Sequence, residues 1–92
     1  MSKRLLPIGS VVVLTGGDKK VMITGYCPVA AEMPDKIFDY RGCPYPEGII
    51  ISEGAALFDH SQIKEVVHTG FENDEVVDFI DKLEIILEKE NG

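Results

Sequence analysis

The chain changes character once, near Phe71, and that change most narrows what it can fold into. Upstream, short runs of β-branched and aromatic residues are separated by glycine, proline and polar clusters, as in strands joined by turns. Downstream, apolar residues recur every three or four positions, the period of a helix with one dry face. A sheet and a helix that are each dry on one side must cover each other, which predicts an α+β fold. With 92 residues the chain has room for one core, so residues 1–92 form a single domain, β-rich over about 5–71 and helical over about 73–90.

The β-rich part divides into five short strands. Ile8 to Thr15 and Val21 to Tyr26 flank Gly16-Gly17-Asp18, which supplies the backbone freedom of a hairpin turn. Cys27 to Asp35 carries two prolines and small residues and reads as a loop, after which Ile37-Phe38-Asp39-Tyr40 forms a third strand. Arg41 to Gly48 holds two prolines and two glycines and reads as a second, shaped loop. Ile49-Ile50-Ile51 is the most β-prone triplet, and Ile63 to His68 follows the polar turn Asp59-His60-Ser61 as the fifth strand. The expected architecture is a small, mostly antiparallel sheet, partly curled or barrel-like, with the C-terminal helix across one open side or end.

The helix is the clearest element. Asn73 can cap its first amides, and Asp74 and Glu75 place negative charge on its positive end. At 100° per residue Val76, Phe79, Ile80, Leu83, Ile86 and Leu87 share one face, the expected core stripe. Ile85 projects into the polar arc and should be exposed in a monomer.

Charge and hydropathy exclude several functions. The formal charge of -7 repels phosphate backbones and anionic lipids, so neither nucleic acid nor a membrane is an expected partner. No apolar run approaches the roughly 20 residues of a membrane span, and Met1 to Pro7 lacks the apolar stretch of a secretory signal. A cytoplasmic location is therefore expected, with Cys27 and Cys43 as free thiols.

No catalytic or metal-binding pattern emerges. Cys27, Cys43, His60 and His68 match a four-ligand zinc count but lack the close pairs that build small zinc sites, and neither histidine lies in a motif that sets it against a cysteine. His60 reads as a turn residue and His68 as an outward strand residue. Gly16-Gly17-Asp18-Lys19-Lys20 leads into a strand instead of a helix, so it is no phosphate cradle. No cofactor is called for. Pro44-Tyr45-Pro46 is stiff, so a tyrosine presented there would lose little entropy on docking; the competing expectation folds Tyr45 back over an open end of the sheet. Tyr45, Pro46 and Glu47 form one candidate partner surface, and Ile85 with the outer helix face a second.

Three stretches carry a family resemblance: Leu5-Leu6-Pro7-Ile8-Gly9-Ser10 with Val11 to Leu14, Gly16-Gly17 and Val21 to Gly25; Phe38-Asp39-Tyr40 with Gly42-Cys43 and Tyr45-Pro46-Glu47-Gly48; and Phe58-Asp59-His60 with Ile63, Val66-Val67 and Gly70-Phe71. In this combination the chain resembles the domain of unknown function 4176 family. The resemblance implies a setting in Gram-positive type VII secretion clusters that encode LXG-type toxins, and it implies no catalytic residues. The expected function is a cytoplasmic, non-enzymatic accessory or chaperone-like protein that binds such a toxin, encoded nearby, and assists its export. An immunity protein that neutralises the toxin is the first alternative, and a small thiol or metal-dependent enzyme the second. A homodimer is left open.

Overall fold

The computed structural model describes residues 5–50 and 55–91. In chain order it holds β1 (Val11–Leu14), β2 (Lys20–Tyr26), β3 (Val29–Ala30), β4 (Met33–Ile37), β5 (Tyr40–Pro44), β6 (Ala56–Phe58), a 3-10 turn (His60–Gln62), β7 (Ile63–His68) and α1 (Asp74–Asn91). Five strands make one antiparallel sheet in the order β6-β5-β2-β1-β7, and β3 with β4 forms a separate two-stranded ribbon. The α+β class holds, and the main sheet is open, with β6 and β7 at its edges.

The β1–β2 hairpin pairs Val12 with Val21, and Gly16 at its turn has φ +92°, the left-handed backbone that glycine adopts without strain. Val11, Val12 and Val13 are all buried, as expected of a central strand dry on both faces. β2 continues into β5, where Ile23 faces Gly42, and β5 pairs with β6 through Tyr40–Phe58. One sheet face thus carries Val12, Val21, Ile23, Tyr40 and Phe58, and against it pack Ile80 and Leu87 of α1, with Val76 and Leu83 partly buried beside them. Each fully buried aliphatic side chain contributes about 1.5 to 3 kcal/mol.

Several expected elements are placed differently. The loop forecast over Cys27–Asp35 contains β3 and the start of β4, because Pro34 falls on a ribbon outside the main sheet, where a lost amide costs little, and Pro28 stands just before that ribbon. The strand forecast over Ile37–Tyr40 is instead a junction: Ile37 ends β4 and Tyr40 begins β5. The forecast loop over Arg41–Gly48 supplies most of β5; Gly42 sits within that strand because a Cβ there would come within 2.7 Å of Val21 Cγ1 and 2.8 Å of the Met22 carbonyl oxygen. Ile49 and Ile50 lie in an exposed bend, and Ile51, the rest of that forecast strand, lies outside the described residues. The fifth strand of the sheet is β6.

Helix α1 begins where the cap signal put it, with the Val76 amide donating to Asn73 Oδ1 at 3.0 Å. Ile85 is exposed, as expected, but Phe79 and Ile86 are exposed at 53% and 49%, so the core stripe is narrower than its periodicity suggested. The sheet covers the sector of Ile80 and Leu87 and leaves the Phe79–Ile86 flank open. No helix among the described residues is long and apolar enough to cross a membrane.

Candidate functional site

The segment before β1 is held to the body by side-chain hydrogen bonds. The Leu5 amide donates to Glu84 Oε2 of α1 at 2.9 Å, the Leu6 amide to the Tyr40 hydroxyl at 2.9 Å, and the Tyr26 hydroxyl donates to the Leu6 carbonyl at 2.6 Å. Pro7-Ile8-Gly9-Ser10 then turns: the Ser10 amide donates to the Pro7 carbonyl, and Gly9 has φ +93°, which a type II turn demands at its third position. This turn leaves Ile8 exposed at its corner.

Ser10 also fixes the far end of the β-rich part. Its buried hydroxyl donates to the Pro7 carbonyl at 2.7 Å and accepts the Gly70 amide at 2.9 Å, joining positions 60 residues apart. Gly70 lies so close to the Ile8 carbonyl that a Cβ would overlap it, so only glycine fits. The next residue, Phe71, is thereby set beside Ile8.

A cavity of about 330 Å³ opens there, lined by Ile8, Tyr26, Phe71, Glu75, Val76 and Phe79. Phe71 is 77% exposed, an uncommon state for so large an apolar side chain that heads a contiguous patch. The Tyr26 and Phe79 ring centroids are 6.2 Å apart, which packs the floor against the helix wall. Burial pushes the Tyr26 phenol up to about 12; a hydrogen bond with the Ile8 backbone works the other way, and the nearby Glu72 carboxylate adds to the rise. Neither Glu72 nor Glu75 has an ion-pair partner among the described residues. The result is an apolar pocket with an acidic rim.

The Tyr45 turn makes a second, separate feature. Tyr45 is exposed at 44% and so does not fold back over the sheet; Pro46 is exposed too, and Glu47 pairs with Lys19 at 2.7 Å, which holds its carboxyl below the ordinary value. Beside this turn a cavity of about 480 Å³ is lined by Glu47, Arg41, Cys43, Ile49 and Ile50 among others, but not by Tyr45 or Pro46. Ile85 lines neither cavity, so the two predicted partner surfaces are not brought into one site. The Ile8–Phe71–Phe79 pocket escaped sequence reasoning, although Gly70-Phe71, a large apolar residue outside either periodic segment, was a usable signal.

The polar cluster around His60 serves the fold. His60 Nδ1 lies 2.7 Å from the Tyr40 hydroxyl, and the His60 backbone amide donates to Asp39 Oδ2 at 2.8 Å. Asp39 thus holds the turn through the histidine's main chain in this contact, and Asp59 accepts the Asp39 amide in return at 3.1 Å. Cys27 and Cys43 are free thiols, and burial, then the Asp39 charge, pushes the Cys27 thiol upward, away from the thiolate a nucleophile needs. His68 is exposed on β7. Among the described residues no group of three or more His, Cys, Asp or Glu side chains is placed to hold a metal ion.

A family model described as Domain of unknown function (DUF4176) matches residues 5–79. That span contains the Pro7–Ser10 turn, the Tyr45 turn and Gly70-Phe71. No curated protein matches the chain, and no solved structure matches it.

Proposed function

From the premise that the chain belongs to the DUF4176 family, we propose that it is a non-enzymatic, chaperone-like accessory protein that acts in the cytoplasm by binding another protein, a type VII LXG-type toxin encoded nearby, and assisting its export. The observation that carries a binding role is the exposed Phe71 beside Ile8 and Phe79, which lose contact with water only when another surface covers them. The setting in toxin secretion comes from the resemblance. The protonated state favoured at Cys27 supports a binding role over thiol chemistry.

The test is co-purification of the tagged protein with the neighbouring toxin, joined to toxin export in a deletion strain. Retention of the toxin by the protein and loss of export on deletion are expected. A deletion that leaves toxin level and export unchanged would remove the proposal. Binding that follows the toxic half, with rescue of toxin-killed cells, would replace the export role with immunity. Loss of the phenotype on replacing Cys27 and Cys43 with serine, in a folded variant, would favour the thiol enzyme.

A further inference from the structure

The pocket's shape and rim say more about the partner than that it is a protein. Phe79 and Ile86 are seven residues apart, so they project on nearly the same side of α1 and extend an apolar flank about 10 Å from the pocket along the helix. An apolar flank two turns long, with a pocket at one end, is the form that receives an amphipathic helix through side chains spaced at i, i+3 or i+4, and i+7. Glu72 and Glu75, both exposed and without ion-pair partners among the described residues, stand at the pocket end. Lys82 lies on the same side of the helix farther along, so the acidic preference is confined to the Phe71 end.

Resting on the protein-binding role above, we propose that the pocket at Phe71 and the exposed flank from Phe79 to Ile86 together act as a groove that receives a basic amphipathic helix of the partner. One large apolar side chain enters the Ile8–Phe71–Phe79 pocket, and lysine or arginine residues beside that anchor face Glu72 and Glu75. The occupant is a helix because the apolar flank runs along one, and basic because no lysine or arginine among the described residues pairs with the carboxylates at the pocket. An edge-strand partner is less well served: β7 is exposed but pairs with β1 through two register shifts, irregularities that guard a free edge.

The probe is a pair of labelled synthetic peptides with the same leucine and phenylalanine spacing, one with lysine and arginine next to its anchor and the other with glutamate there. Each is titrated by fluorescence anisotropy against the full chain at low salt. The basic peptide should bind at least about tenfold more tightly than the acidic one, with the gap closing as salt rises. F71S should weaken the basic peptide by about tenfold or more, as truncation of an interface anchor does, while leaving the melting temperature unchanged because the side chain is exposed. I8S repeats the test from the other wall. E72Q with E75Q should erase the difference between the peptides, and E88Q, on another part of the helix, should not. Equal binding of both peptides, or wild-type affinity in folded F71S and I8S, overturns the inference, as does a wild-type dimer that F71S dissociates, because the occupant is then a second copy. Toxin that co-purifies equally with wild type and F71S defeats the groove and spares the proposed function. Toxin that wild type fails to hold defeats the function, while the peptide titration still decides the groove.

Discussion

Replacing Tyr40 with Phe separates the packing of the core from its polar bracing. The ring is fully buried, with its centroid 5.3 Å from Phe58 and 6.2 Å from Tyr26, and phenylalanine keeps all of that. Only the hydroxyl is lost. It accepts the Leu6 amide at 2.9 Å, so its own proton is free to be donated to His60 Nδ1, 2.7 Å away. His60 is half-buried and water can replace the lost donor there, whereas the half-buried Leu6 amide has no other acceptor among the described residues. An amide left without a partner costs about 1 to 3 kcal/mol, so Y40F should lose about 2 kcal/mol of unfolding free energy. At roughly 4 to 8 °C per kcal/mol for a domain of this size, the melting temperature should fall by about 8 to 16 °C. Urea unfolding followed by far-ultraviolet circular dichroism measures the difference, with Y26F as comparator. Tyr26 donates to the Leu6 carbonyl at 2.6 Å, and an under-satisfied carbonyl, with two lone pairs, is tolerated better than an orphaned amide, so Y26F should cost under about 1 kcal/mol. Y40F within about 0.5 kcal/mol of wild type, or costing less than Y26F, would refute this account of how the N-terminal segment is held.

G42A should destabilise by about 1 to 3 kcal/mol or more in urea unfolding, because the added methyl meets the Met22 carbonyl oxygen at 2.8 Å and a backbone oxygen in a sheet cannot give way; an unchanged midpoint would contradict the packing. I85E should stay within about 0.5 kcal/mol of wild type, and a large drop in melting temperature would mean that Ile85 is covered. Alkali should weaken the fold through Tyr26, whose folded-state value of about 12 lies above the ordinary 10, so that the neutral phenol is the form the fold favours. Its contribution is complete below pH 10 and is lost as pH rises toward 12, and Tyr40, also raised chiefly by burial, acts in the same direction. Urea midpoints should fall over that window, less steeply in Y26F; equal slopes would exclude the phenol as the cause.

Local signals were legible where one stretch of chain satisfies its own needs. The Asn73 cap, the hairpin around Gly16-Gly17 and the exposure of Ile85 depend on neighbours within a few positions, and each stands where the sequence put it. Glycine and proline misled at β5. Gly42 is in that strand because Val21, Met22 and Phe58 crowd it, and Pro44 closes it opposite Val21; both reasons lie on other strands. The same limit applies to Phe79 and Ile86, since a helical period gives the width of an apolar stripe but not how much of it a sheet will cover.

Periodicity, capping and composition suffice for the class of fold, the start of the helix and the sign of the net charge. The strand order, the partial covering of the helix and the pocket come from contacts between distant segments. Ile8 is left at a turn corner and Phe71 follows a glycine, and although Gly70-Phe71 marks an unusual apolar residue, neither residue's neighbours show that the two meet. The site exists because Ser10 accepts the Gly70 amide and Gly70 has no Cβ to strike Ile8, contacts between segments that only the assembled sheet and docked helix bring together.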